Sequence, residues 1–147
     1  MKAIIQRVSC ASVSIDNKIY SQIDEGALIF LGVYTNDNET NALALAKKVA
    51  SLRFFDDDKN IPNLSLIDTK FEVLVVSQFT ICANTTKGNR PSFISASEPA
   101  KAEFLYNLFN NTLISILGSD KIFTGKFKSI MKISLTNEGP FTLIIEK

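Results

Sequence analysis

Phe71-Glu72-Val73-Leu74-Val75-Val76-Ser77-Gln78-Phe79-Thr80 sets a β-branched apolar run against two hydroxyls and an amide. Branched aliphatic side chains suit a pleated surface, and a run with little alternation is the pattern of a strand buried on both faces. Residues 71–79 therefore predict a central strand whose end turns polar. Ala27-Leu28-Ile29-Phe30-Leu31-Gly32-Val33, which follows the turn residues Asp24-Glu25-Gly26, predicts a second buried strand over 27–33.

On the N-terminal side, Ile4, Ile5 and Val8 begin an extended segment, and residues 11–15 and 19–23 read as a hairpin about Asp16-Asn17-Lys18. From Asn41 the period changes to that of a helix, with Ala42, Leu45, Val49 and Leu52 on one stripe and Lys47, Lys48 and Ser51 turned away. Residues 56–59 form a solvated loop. Beyond the second strand, residues 81–93 hold Asn84, Gly88, Asn89 and Pro91 and show neither period, which predicts a surface loop. A second helix is expected with Ser97 as its cap, Pro99 in its first turn, Phe104, Leu105, Leu108, Thr112 and Ile116 as its apolar stripe, and Gly118 at its end. Met131, Ile133 and Leu135 then alternate with polar residues, and a last strand over 141–145 follows the turn Asn137-Glu138-Gly139-Pro140. The sum is an α+β fold, a single domain over residues 1–147 with a curved, mostly antiparallel, barrel-like sheet and two long helices.

A chain of 147 residues, 46% hydrophobic and 21% charged, is sized for one ordinary hydrophobic core. Lys2, Gln6 and Arg7 interrupt the first apolar stretch, so neither a signal peptide nor a membrane span is read there, and a cytoplasmic location is expected. Cys10 and Cys82 are too few for a disulfide framework and are expected to be reduced, buried thiols. No histidine is present, which removes the usual general base of acyl transfer and the commonest metal ligand. Hydrolysis, if it occurs, must proceed without an imidazole, and no metal or cofactor is expected. The net charge of +1 gives no strong electrostatic grip on nucleic acid.

Two segments place polar residues where a rigid scaffold could use them. Ser77-Gln78-Phe79-Thr80 ends the apolar strand, where hydroxyls either satisfy nearby backbone or act on a ligand. Asn137-Glu138-Gly139-Pro140-Phe141-Thr142 puts a Gly-Pro pair between strands; only about 5–6% of X-Pro bonds in folded proteins are cis, so on these residues alone a trans turn is expected. Both segments match the signatures S-Q-x-T and N-x-G-P-[VF]-T. Together with Gln6-Arg7-Val8, Ala11-Ser12-Val13, Leu31-Gly32-Val33, Leu52-Arg53-Phe54-Phe55, Asn63-Leu64-Ser65 and Lys87-Gly88-Asn89-Arg90-Pro91-Ser92-Phe93, they make the whole chain resemble the D-aminoacyl-tRNA deacylases.

The resemblance implies an enzyme that hydrolyses the ester of D-aminoacyl-tRNA, and of glycyl-tRNA as well, as chiral proofreading in translation. It implies a homodimer in which a cis Gly139-Pro140 peptide reaches into the partner's active site, holds the substrate's α-amino group through its carbonyls and leaves no space for an L side chain. It further implies that backbone N–H groups near Phe79 and Thr80 stabilise the oxyanion and that Gln78 holds the terminal adenosine. Ser77 orders the loop, Ala96 keeps the pocket floor small, Arg7 braces the incoming Gly-Pro loop, and Met131 lines the adenosine pocket. Thr80 lacks a base to activate it, so water assisted by the ribose 2′-hydroxyl is the expected attacking group. Lys87, Arg90, Lys126 and Lys128 are the expected tRNA contacts, by phosphate neutralisation. Gly125-Lys126-Phe127-Lys128-Ser129-Ile130-Met131 departs from the resembled pattern, which has Arg at the Lys126 position, and so does Pro62, where Met is usual. A non-catalytic nucleic-acid module and a general esterase are the rival readings. The first is expected to carry added terminal segments, and the second lacks here a nucleophile elbow or a metal-ligand cluster.

Overall fold

The computed structural model describes Met1–Lys147. Along the chain run β1 (Lys2–Ile15), β2 (Lys18–Ile23), β3 (Gly26–Gly32), α1 (Glu39–Ser51), β4 (Phe55–Asp56), β5 (Pro62–Leu64), α2 (Leu66–Thr69), β6 (Glu72–Ser77), a 3₁₀ turn (Phe79–Cys82), α3 (Pro99–Leu117), β7 (Ile122–Thr124) and β8 (Lys132–Glu146). Asp16 and Asn17 both adopt positive φ, at 51° and 61°. That is the twist a tight hairpin turn requires, and it joins β1 to β2 as their sequence predicts.

The main sheet has the order β2-β1-β3-β6-β7, with β8 along the other edge of β1. Pairings of β1 with β2, β3 and β8 are antiparallel, whereas β3–β6 and β6–β7 are parallel. Parallel neighbours need a crossover, usually a helix, and α1 and α3 lie in the two crossovers. The sheet curls until β2 packs near β7, giving a nearly closed, barrel-like mixed sheet.

Alternation along β3 and β6 sends Ala27, Ile29, Val73 and Val75 to one face and Leu28, Leu74 and Val76 to the other. The first face meets Leu45 and Val49 of α1 and Phe109 and Leu113 of α3; the second packs on Val8 and Val13. Both faces are thus covered, which is why these two strands read as continuous apolar runs. Asn38 caps α1 through the N–H groups of Thr40 and Asn41, while the Asn41 side chain answers to the Asn38 N–H.

Four expectations are corrected. Of the expected α3 stripe only Leu105 is fully buried; the rest of the buried face is Tyr106, Phe109, Asn110 and Leu113, while Phe104 is 55% exposed. This helix carries apolar residues at two phases, and packing against β6 and α1 selected the other one. Ser97 does not cap α3; Glu98 holds the cap position with no side-chain bond. Cys10 is exposed, and only Cys82 is buried, where desolvation pushes its thiol pKa up. Finally, the segments on either side of the Gly-Pro pair do not form a hairpin with each other. Both pair with β1, as one strand, and the register slips between Gln6↔Thr142 and Val8↔Asn137. Residues 138–141 therefore bulge out opposite the single residue Arg7.

Candidate active site

The parallel core ends abruptly at Ser77. On the β3 side the Gln78 N–H still donates to the Leu31 carbonyl at 2.8 Å, and the chain then winds into the 3₁₀ turn. In such a turn the first N–H with an internal acceptor is that of the third residue. The N–H groups of Phe79 and Thr80 accordingly donate to nothing within the chain. The Gln78 side-chain amide is bonded to the Thr80 hydroxyl, holding it down on the turn.

Beside this turn lies a concave, mostly apolar cavity of about 580 Å³. Its walls include Ser77, Gln78 and Phe79 from the turn, Ala96 and Ala102 near and on α3, and Phe127, Lys128 and Met131 from the segment after β7. Phe79 is 59% exposed at the mouth and meets Phe93 edge to face at 5.2 Å. Of the residues singled out by sequence, Ser77, Gln78, Phe79, Ala96, Met131 and Lys128 thus come together around one space. Thr80 sits on the turn but outside the lining, and Lys87 and Arg90 are exposed in the loop closed by the Asn84↔Ser92 bridge. Lys126 is exposed at the base of the segment after β7, and none of these four cations, Lys128 included, makes an ion pair.

Sequence reading missed Tyr106, Ala102, Phe127 and Ile130 in the cavity wall. Tyr106 and Ala102 lie one helical turn apart, a spacing that marks a shared face; the phase error in α3 hid it. In 125–131, where resemblance singled out Met131, Phe127 is half-buried in the wall and Ile130 borders the cavity while 94% exposed.

Gly139 and Pro140 line no part of that cavity. They project from the β8 bulge, joined by a cis peptide, and are exposed. The bulge is held at its base by Asn137, whose side-chain amide, set in the orientation that satisfies its neighbours, accepts at its oxygen from the Gly139 and Glu138 N–H groups at 3.2 and 3.3 Å and donates from its nitrogen to Thr142 Oγ1 at 3.1 Å. Arg7 holds it from the side. Its guanidinium donates to the Glu138 and Gly139 carbonyls at 3.4 and 3.5 Å and to the Phe54 carbonyl at 3.1 Å. It also pairs with Asp56 at 3.1 Å and lies over the Phe141 ring at 4.3 Å. Arg7 therefore braces the loop of its own chain, and its planar fork is spread over several acceptors at once. No three acidic or cysteine side chains converge as a metal site would need, and no helix is long and apolar enough to cross a membrane.

A family model described as D-Tyr-tRNA(Tyr) deacylase matches residues 4–146. The D-aminoacyl-tRNA deacylase of Flavobacterium psychrophilum is 49% identical over 146 residues, spanning 99% of this chain and 97% of that protein. Among solved structures, the "c-Myc DNA Unwinding Element Binding Protein" superposes with a TM-score of 0.95 at 34% identity, over 100% of this chain and 99% of its own. A "probable eukaryotic D-amino acid tRNA deacylase" shares the fold at a TM-score of 0.89 and 14% identity, over 99% and 98% of the two chains. The free N–H groups, the adjoining cavity and the near-complete family match agree, and the chain belongs to the D-Tyr-tRNA(Tyr) deacylase family and is a deacylase, a hydrolase.

Proposed function

We propose that this deacylase hydrolyses the ester between a D-amino acid, or glycine, and the terminal adenosine of tRNA, as stereochemical proofreading of translation in the cytoplasm. The observation that carries the reading is the pair of unbonded N–H groups of Phe79 and Thr80 at the mouth of a cavity sized for a nucleoside. The adenosine enters the apolar space against Met131, with Ala96 leaving it room and Gln78 beside it. The ester carbonyl then lies at the turn, where the two N–H groups take up the charge that develops as water attacks; such donors are worth a few kcal/mol each. The ribose 2′-hydroxyl assists the water. Ser77 orders the turn, and Lys87, Arg90, Lys126 and Lys128 meet the tRNA phosphates.

Stereoselection comes from a second copy of the chain. Exposed and absent from its own cavity, the Gly139-Pro140 segment serves the partner's site, where its carbonyls hold the α-amino group and its backbone blocks an L side chain. The Gly139 oxygen keeps an acceptor position for the amine beside its bond to Arg7, since a carbonyl has two lone pairs. A wall made of main chain rejects by clash and touches no side chain of the accepted substrate, so many D-amino acids are taken.

The test is to follow ester loss from matched D- and L-aminoacyl-tRNAs: fast loss of the D form alone is expected, and equal rates, or none on the D form, would overturn the reading. Replacing Thr80 by alanine is expected to leave kcat within about tenfold of wild type, because an attacking hydroxyl would cost about 10⁴-fold or more when removed. A second reading, DNA binding without catalysis, draws on the likeness to the DNA unwinding element binding protein; the same assay separates the two.

A further inference from the structure

The 3₁₀ turn that carries the free N–H groups is attached unevenly. On the β3 side, hydrogen bonds continue through Ser77 and Gln78. On the β7 side they stop earlier: the last is from the Gly125 N–H to the Val75 carbonyl, at 2.9 Å. Past that point β7 has ended and its chain departs into the cavity wall, so β6 runs on toward the turn with one edge unsupported.

Tyr106 adds a second anchor at the edge of this gap, on the last carbonyl that β7 reaches. It reaches from α3, 3% exposed, and its hydroxyl donates to the same Val75 carbonyl at 2.8 Å. Asn110 of α3 and Thr124 of β7 lie near the phenol oxygen, whose hydrogen bond runs to β6. Burial pushes its pKa up to about 12, which keeps it a donor throughout the physiological range. Its ring floors the cavity and tilts against Phe127 at 5.8 Å. The one side chain thus touches both walls at the place where β6 and β7 diverge, one leading to the turn and the other to residues 125–131.

We propose that Tyr106 is a positioning residue for the reaction: its hydroxyl, through the Val75 carbonyl, fixes the end of β6 and with it the aim of the Phe79 and Thr80 N–H groups. The inference rests on the proposed role of those groups. It separates two functions of one residue, the ring for binding and the hydroxyl for alignment. Misplacing a reacting group by a fraction of an ångström is costly to kcat and neutral to binding elsewhere in the site.

Tyr106→Phe isolates the hydroxyl. The ring stays, and Val75 keeps its bond from Gly125, so no buried carbonyl is orphaned. On D-aminoacyl-tRNA, kcat is expected to fall about tenfold while KM stays within about twofold, since only a misaligned donor pair has changed. Folded sites are counted by titration with a non-hydrolysable 3′-amide-linked D-aminoacyl adenosine, so that kcat refers to competent sites even if some of the variant unfolds. A lowered melting temperature with unchanged kcat per site would reduce Tyr106 to a structural strut and overturn the proposal, as would a rise in KM at constant kcat. Wild type that fails to prefer the D form defeats the parent reading instead, and the two failures are distinguishable in one experiment.

Discussion

Gly139→Val is expected to abolish stereoselective deacylation while leaving the chain folded. Beyond its neighbours Glu138 and Pro140, nothing in the chain lies within 4 Å of where a Cβ at Gly139 would stand, and its φ lies outside the positive region where side chains are strained. A side chain there therefore meets no other part of its own subunit than the adjoining residues. If Gly139 instead faces the substrate's chiral centre in the partner's cavity, the added isopropyl group intrudes where the α-amino group and ester must sit. A displacement of about 1 Å at a reacting centre costs on the order of 10²-fold, so kcat/KM on D-aminoacyl-tRNA should fall by at least about that factor. The melting temperature should move by no more than about 2 °C, the scale of a sub-kcal/mol surface change in a chain of this size. Stopped assays on the D ester beside a thermal melt check both halves.

Gly26→Ala should act in the opposite way, through stability. Gly26 opens β3 opposite Glu72 of β6, and a Cβ there would stand 1.9 Å from the Glu72 carbonyl oxygen and 2.8 Å from its carbon. Backbone cannot swing aside as a side chain does, so the parallel pair must spread at its first rung. Overpacking of well-packed sites costs about 1–3 kcal/mol and occasionally more; a contact this close with main chain falls at or above the upper end. That corresponds to a melting point lower by about 6–12 °C for a chain of this length. Because β6 delivers the Ser77-to-Thr80 turn, activity should be lost along with the fold on heating, while kcat at low temperature, per folded molecule, stays near wild type. A melting curve within about 1 °C of wild type would show that the rung adapts at little cost.

The two substitutions separate the two things glycine does here, and they explain what could be read from the chain alone. The central strands were legible because both of their faces are covered, leaving unbroken runs at 27–33 and 71–79. The helix after Asn38 was legible because a single stripe and a capping pair agree. In α3 Leu105 was placed correctly, but Phe104, Leu108, Thr112 and Ile116 compete with Tyr106, Phe109 and Leu113 for the buried face, and only tertiary packing decides between them. Tyr106 was lost from view with that phase. The parallel pairing of β3 with β6 and β6 with β7 is likewise invisible locally, since a doubly buried strand reads alike beside parallel and antiparallel neighbours.

The site was legible in part, and for a different reason. Ser77-Gln78-Phe79-Thr80 and Asn137-Glu138-Gly139-Pro140-Phe141-Thr142 are short, contiguous motifs, so resemblance finds them whole. Resemblance named Arg7 as a brace of the Gly-Pro loop but did not supply the bulge that makes the braced loop its own chain's. A bulge of residues 138–141 opposite one residue of β1, tied by Asn137 and by Arg7 of the same chain, depends on a register slip between strands more than a hundred residues apart. Arg7 alone, in an alternating strand, looks like an edge cation. Its Asp56, Phe54 and Phe141 contacts, which make it a brace, exist only once β1, β4 and β8 are assembled.

The central claim is that one stereoselective site is built from the cavity of one copy and the Gly139-Pro140 segment of another. Chains carrying Gly139→Val and chains carrying Ala102→Phe, which fills the cavity, should each be inactive alone. Unfolded together in equal amounts and refolded, half of the resulting dimers are mixed, and each mixed dimer holds one intact site of two. D-aminoacyl-tRNA hydrolysis should then recover to about a quarter of the wild-type rate per chain, by the symmetry of a two-fold dimer. A mixture no more active than the two variants measured separately would mean that each chain supplies its own gate, and the account would be contradicted.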